Sequence, residues 1–347
     1  MRVGFDCSPL VRAFPLGVAR ACAGLLDALE KRSRLEVVRL TPADGVTSRN
    51  WRGKGLVEAL RSQELAGLHS FTSAFPRAGP GLRVQTIHEL PWRHGVKENA
   101  DLAHRFWASF GPLWADRVLV PTEHVARDLK RRFLPGKNKI RVAPWGTGPP
   151  FVHEPAEGEI DEVLLGRYRL GEEQFLLALG AVRPKKGLAR LLRGMAALKA
   201  RGETPPPLVI TGEETPQLRR DLGLAQQLGL GRLVSTLDTI EEADLPGLLR
   251  LALAVPVLSF SEGFGLPVLE ALACGTPVIV PFASAQAEVA GCTGFAVDPD
   301  DPDAVADAIQ RAGRERESLR STLPLRAAAF SWDACAKIVE ETWLELA

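Results

Sequence analysis

Cysteine is scarce in this 347-residue sequence, and the little there is lies scattered. Five residues (Cys7, Cys22, Cys274, Cys292 and Cys335) form no CxxC pair. An odd, dispersed set argues against a disulfide framework or a zinc site and for reduced thiols. No run approaches the roughly 20 apolar residues that cross a bilayer. The opening MRVGFDCSPL has no basic start, apolar core and cleavage site of a signal peptide, so a cytoplasmic location is expected. No short-period repeat is present. Excess charge is nearly absent as well, at a net +1. The halves nevertheless differ: residues 1–160 carry +8 and the remainder −7. Such asymmetry fits different ligands meeting different halves, or simply solvated surfaces of opposite sign.

Hydrophobic residues make up 46% and charged residues 24%, an ordinary globular balance, and the length suits two α/β domains better than one. Strands are expected at 2–6, 35–40, 84–90, 117–121 and 140–144. A helix from about Gly17 to Lys31 follows the first strand, with Leu25, Leu26 and Leu29 as its buried stripe. The Pro-, Gly- and acid-rich stretch 147–162 reads as an interdomain linker. Strand signals resume at 175–180, 207–212, 232–237, 253–259, 276–281 and 293–297. Strands alternating with helices imply doubly wound parallel sheets. The tail is amphipathic, with Ser331 placed to cap a last helix and Trp332, Ile338, Trp343 and Leu346 available for packing. The expected domains are 1–160, 161–325 and a closing helix at 326–347.

The most informative stretch is Ser261-Glu-Gly-Phe-Gly-Leu-Pro-Val-Leu-Glu270-Ala-Leu-Ala-Cys-Gly-Thr-Pro277. A strand ends near Ser259 and a glycine-bearing loop follows. Pro267 suits the first turn of a helix, while Gly275 and Pro277 end it. Gly263 and Gly265 let backbone N–H groups approach an anion, to which the helix start adds its positive dipole end. Glu262 precedes that helix and Glu270 lies inside it, so both can reach the space above the strand ends where open α/β sheets bind ligands. A second loop, Gly180-Ala-Val-Arg183-Pro-Lys185-Lys186-Gly187, puts cations after a strand, where they can neutralise a leaving diphosphate. No Asp-x-Asp motif is evident to hold a metal there.

The 261–277 string resembles the signature of the retaining family-four glycosyltransferases (glycosyltransferases group 1), two glutamates separated by seven residues around a glycine-rich turn. The resemblance implies a GT-B fold, two Rossmann-like domains facing across a cleft. The donor would sit on the second domain and the acceptor on the first. It makes Glu262 the contact to donor-sugar hydroxyls and Glu270 the contact to the nucleotide ribose. Gly263, Phe264, Gly265 and Leu266 then form the donor-binding turn. Lys186 matches the family's phosphate lysine. Ala181 stands where the family carries an arginine, leaving Arg183 or Lys185 as candidates to replace it. In the first half, Gly17 matches a glycine that approaches the donor phosphate, and Arg20 opens the following helix. His88 matches a histidine facing the donor sugar, and His69 also falls on a family position. Trp145 replaces an asparagine.

By this resemblance the chain moves a glycosyl group from a UDP-, GDP- or ADP-sugar to a saccharide or glycolipid acceptor, with retention at the anomeric carbon. The nucleotide sugar is a co-substrate; no cofactor, metal or nucleic acid is expected. Arg127, Lys130, Arg131 and Arg132 on a predicted helix read either as a solvated face or as peripheral contact with anionic lipid headgroups at the inner membrane face. The rival readings are a non-catalytic homologue acting as a nucleotide- or sugar-binding partner subunit, and a sugar phosphorylase or nucleotide-sugar hydrolase.

Overall fold

In the first half, short runs rich in Val, Leu and Phe become strands β1 (Arg2–Asp6), β2 (Glu36–Leu40), β3 (Gly67–Ser70), β4 (Leu82–Thr86), β5 (Arg117–Val120) and β6 (Ile140–Val142). All pair in parallel, in the order β2-β1-β3-β4-β5-β6. The computed structural model describes residues 1–11, 14, 16–131, 137–155, 161–180, 182–238 and 240–347. Two compact units emerge: residues 1–146 with 330–347, and residues 147–329.

In the first unit the strand order reverses between β1 and β3, so the loops leaving these strands diverge and open a crevice at their C-terminal ends. Helix Leu16–Glu30 buries Cys22, Leu25, Leu26 and Leu29, as its apolar stripe requires. Helix Trp332–Leu344 packs on it, with Trp332 against Gly24 and Trp343 fully buried. Ser331 caps this last helix by accepting from Ala334 N at 3.1 Å. A salt bridge from Arg32 to the buried Glu340, 3.0 Å, ties the two helices together.

The second unit holds β7 (Leu176–Ala178), β8 (Leu208–Thr211) and β9 (Val234–Leu237) in one parallel sheet. Strands β10 (Val255–Pro256), β11 (Val278–Pro281) and β12 (Phe295–Val297) make another. A parallel bridge, Leu176 to Ala254, joins them edge to edge. The resulting order is β9-β8-β7-β10-β11-β12, with its reversal between β7 and β10. Helices Leu188–Ala200 and Pro302–Leu319 cover one face, burying Leu191, Leu192, Met195, Val305 and Ile309.

Several expectations need correction. The strand expected at 84–90 ends at Thr86, so His88 lies in the loop beyond it. Strand β3 had no alternation to betray it, because all four residues are buried. The units part at 146/147 and 329/330 rather than at 160 and 325. Residues after Thr147 already pack into the second unit, where Phe151 is buried and Arg250 Nη1 donates to Val152 O at 2.8 Å. Among the described residues no helix is long and apolar enough to cross a membrane.

Candidate functional site

Strands β7 and β10 are parallel neighbours, so the loops that follow them start side by side. The loop after β7 turns through a short 3-10 helix, Pro184–Lys186, and Gly187 then starts Leu188–Ala200 with φ 69°. Glycine is needed here twice over. The backbone is left-handed, and a Cβ would collide with the Leu258 carbonyl on the neighbouring loop. The loops are stitched together by Phe260 N donating to Lys185 O at 2.8 Å. Arg190 reinforces the join. It donates to Leu258 O at 3.1 Å and to both Asp300 oxygens at 2.8 and 2.9 Å, and its guanidinium lies 3.4 Å from the Phe260 ring centre.

This scaffold brings Lys186 Nζ to 2.8 Å from Glu262 Oε1, with Lys185 Nζ 3.9 Å from the other carboxylate oxygen. Burial works to raise the Glu262 pKa. The opposing charges of Lys186 and Lys185, with the Lys186 hydrogen bond, outweigh it and hold the carboxyl below its ordinary range. Lys186 and Gly180 share a small depression with Ser259 and Pro267. The basic loop and the start of the glutamate helix therefore address one place. Gly180 N is itself fixed by Thr211 Oγ1 at 3.1 Å.

Helix Leu266–Ala273 begins at Gly265, φ 101°, with Pro267 in its first turn, and Gly275 follows its end at φ 75°. Leu266, Leu269 and Leu272 are buried as expected, and so is Phe264. Phe264 and Leu266 can therefore offer a ligand backbone N–H groups, not side chains. Glu270 is only 4% exposed, on a helix otherwise apolar at its buried positions. Arg183, extended at φ −120°, is exposed and forms no ion pair with a described residue. Ala181 lies outside the described residues.

Contrary to the expectation of no Asp-x-Asp motif, the chain carries two such spacings, Asp298-Pro-Asp300 and Asp301-Pro-Asp303. Their carboxylates are structural. Asp300 pairs with Arg190, Asp301 caps helix Pro302–Leu319, and Asp303 pairs with Arg201 at 2.6 Å.

The first unit has its own pocket, of about 280 Å³, at the ends of β1, β3 and β4. Ser8, Trp51, Thr72, His88, Glu89 and His104 are among its lining residues. Beneath it lies Asp6, fully buried at the end of β1 and missed by the sequence reading. Its carboxylate accepts from Trp51 Nε1 at 3.0 Å, Ser8 N at 3.1 Å and Thr72 Oγ1 at 3.5 Å, pinning the pocket walls. Burial raises its pKa despite these bonds. The only signal available was an acidic residue closing the strand RVGFD.

His88 Nε2 donates to Phe71 O at 2.5 Å, and its ring meets Phe71 and Trp145 edge-on. A neutral ring that donates through Nε2 leaves Nδ1 as a bare acceptor, here buried and without a hydrogen-bond partner among the described residues. Burial pushes the His88 pKa down to about 4, partly offset by the Phe71 bond. His69 is wholly interior, bonded to Thr86 Oγ1 at 2.8 Å. Gly17 lies in the first turn of Leu16–Glu30, so Arg20 sits a turn inside that helix and does not open it.

Two doubly wound parallel-sheet units, the second with cations and a carboxylate at its strand reversal, define a GT-B fold, and solved structures agree. Sucrose-phosphate synthase from Thermosynechococcus elongatus superposes with a TM-score of 0.76, at 21% identity, over 99% of this chain and 98% of that one. Anabaena HepE, solved in complex with UDP-glucose, gives 0.76 at 15% identity over 99% and 100%. At these identities the likeness is one of fold. Residues 167–323, within the second unit, match the family described as glycosyl transferases group 1. It is 31% identical over 245 residues to a D-inositol 3-phosphate glycosyltransferase of Corynebacterium jeikeium, covering 67% of this chain and 58% of that protein. It is 30% identical over 175 residues to an O-antigen chain mannosyltransferase B of Escherichia coli, covering 50% and 46%. The matches span about half the length of these curated relatives.

Proposed function

We propose that this protein transfers a hexosyl group from a nucleoside-diphosphate sugar to an acceptor hydroxyl, with retention of anomeric configuration and with no divalent ion on the diphosphate. The observation that carries this reading is the Lys186–Glu262–Lys185 cluster beside the Gly265 helix start, at the β7/β10 reversal. An ammonium has three donors. One Lys186 proton bonds Glu262, leaving two for phosphate oxygens. As the bond from the anomeric carbon to the phosphate oxygen breaks, Lys186, the helix start and Arg183 stabilise the growing negative charge. The acceptor oxygen bonds to that carbon, and its proton passes to the departing phosphate. Glu262 orients sugar hydroxyls and Glu270 the ribose. Gly17, Arg20 and His88 keep their proposed donor-side roles, and the pocket above Asp6 suits a saccharide or the head of a glycolipid.

Relatives named as a mannosyltransferase and an inositol-phosphate glycosyltransferase support a hexosyl donor. A structural neighbour solved with UDP-glucose makes a UDP-sugar the first to try, before GDP- and ADP-sugars. Thermal shift with UDP, GDP, ADP, CMP and dTDP tests the reading, since a ligand that binds the native state raises its melting temperature. The matching sugar nucleotide is then offered with acceptors. A protein stabilised by none of the five overturns the proposal. Stabilisation without turnover of any donor points to the non-catalytic homologue.

Peripheral membrane contact belongs to the same proposal. Helix Leu102–Trp114 leaves Leu102, Phe106, Phe110 and Leu113 exposed at helical spacing. On helix Glu123–Lys130, Arg127 is exposed, as is Arg131 just beyond it; Arg132 lies outside the described residues. Co-sedimentation with anionic but not neutral vesicles is the expected result, and equal partition to both rejects an electrostatic contact.

A further inference from the structure

On the first unit, apart from its pocket, two imidazoles and a carboxylate converge. His94 closes the 3-10 turn Pro91–His94, and His124 and Asp128 share one face of helix Glu123–Lys130 by their four-residue spacing. His94 Nε2 lies 2.6 Å from Asp128 Oδ2, and His124 Nε2 lies 3.9 Å from that same oxygen. One ligand atom from each residue falls within 4.8 Å of the others.

We propose that His94, His124 and Asp128 bind a divalent transition-metal ion of the zinc class, an activity separate from sugar transfer. The donor set is chemically apt, since imidazole with carboxylate suits zinc, nickel and copper better than magnesium or calcium. The geometry is close to what an ion needs. With bonds of about 2.0–2.1 Å, each ring centre sits roughly 3.2 Å from a shared ion. The observed 5.4 Å between the two ring centres then corresponds to an angle of about 115° at the metal, near tetrahedral. Around a shared ion the His94–Asp128 contact must open by about 0.7 Å and the 3.9 Å His124–Asp128 separation must close by about 0.6 Å, to reach the roughly 3.3 Å spacing of tetrahedral ligands. A ligating Nε2 cannot also donate to Asp128, so an ion takes the place of that hydrogen bond. Asp128 supplies one negative charge, and burial opposes its ionisation. The hydrogen bond and charge of His94, with His124 and Arg93 nearby, nevertheless hold its pKa below the usual range. Arg93 is exposed, so solvent and salt screen its repulsion of a cation. A bound ion would clamp the Pro91–His94 turn to the helix and so order the loop that carries His88 and Glu89.

Calorimetric titration of the chelator-stripped, full-length protein with zinc chloride tests this, followed by cobalt(II) absorption spectra. One ion per chain, binding at micromolar concentration or tighter, is expected, with tetrahedral cobalt bands. His124→Ala and His94→Gln should each weaken binding about 100-fold or more while keeping the wild-type circular dichroism. Asp128→Asn gives a third reading if either histidine variant misfolds. Cys292, the exposed thiol, is the competing ligand. Binding lost in Cys292→Ser and kept in His124→Ala overturns the proposal, as does a wild-type protein with no site tighter than millimolar.

Discussion

Lys186 and Glu262 come from different loops of the second unit, yet their charged atoms lie 2.8 Å apart, with a second lysine 3.9 Å from the same carboxylate. Glu262→Gln keeps the shape and removes the charge. Its proposed partner is the sugar, so binding of free nucleoside diphosphate should stay within about threefold, under 1 kcal/mol. Turnover of the whole donor should fall at least about tenfold. Equal loss of both defeats the division of labour between the two glutamates.

Glu270 is tested with glutamine because its carboxylate is buried and an alanine would leave a void. Glu270→Gln should weaken nucleotide binding by about 1–3 kcal/mol, the scale of a charged hydrogen bond. Calorimetry with nucleotide alone reads it. Unchanged affinity removes the ribose assignment.

Arg183 is exposed and points from an extended stretch two residues beyond Ala181. If its guanidinium meets the diphosphate, Arg183→Ala should lower kcat by about 10–1000-fold. A fully active variant sinks the substitution. A wild-type protein inactive with every donor, but awakened by Ala181→Arg, favours the non-catalytic homologue.

If lysines, and not a divalent ion, face the phosphate as proposed, transfer should persist in excess EDTA. Rates lost on chelation and restored by magnesium or manganese contradict the phosphate chemistry. Zinc bound by His94, His124 and Asp128 is distinguished by comparing the His124→Ala variant under the same conditions.

Acid should destabilise the first unit through its buried histidines. Burial, reinforced by His88, pushes the His69 pKa down to about 3, and burial holds His88 at about 4. Both lie below the unfolded value of about 6.5, so between these limits the unfolded chain binds more protons. Stability therefore falls as pH drops from about 6.5 towards 4, by at most about 1.4 kcal/mol per pH unit for each histidine. Urea unfolding at pH 7, 6 and 5 measures the slope. His69→Gln or His88→Gln should flatten it, and an identical slope in all three proteins refutes the assignment.

Much of the fold could be read from the chain because strands alternate with helices whose stripes are clean. The Leu16–Glu30 helix and the Ser331 cap fall where their residues direct. The 261–277 string fixed its own local structure through Gly265, Pro267 and Gly275, positions governed by backbone geometry alone. What could not be read was tertiary. Strand β3 is covered on both sides and has no period. Asp6 gains its meaning from Trp51 and Thr72, far along the chain. His94 meets Asp128 only after the turn and the helix are assembled. The Asp298–Asp303 run shows the opposite case, a spacing that suggests a metal but serves helix capping and salt bridges.

The first unit is built from both ends of the chain, with Trp332, Glu340 and Trp343 completing its core and the whole second unit inserted before them. On the ribosome, the 147–329 segment is therefore whole and free to fold while its predecessor still waits for its last helix. Until that helix emerges, the surface over Gly24 and the charge of Arg32 stand uncovered. The segment synthesised first is thus the last to be finished, because its closing helix follows the whole of the second unit along the chain.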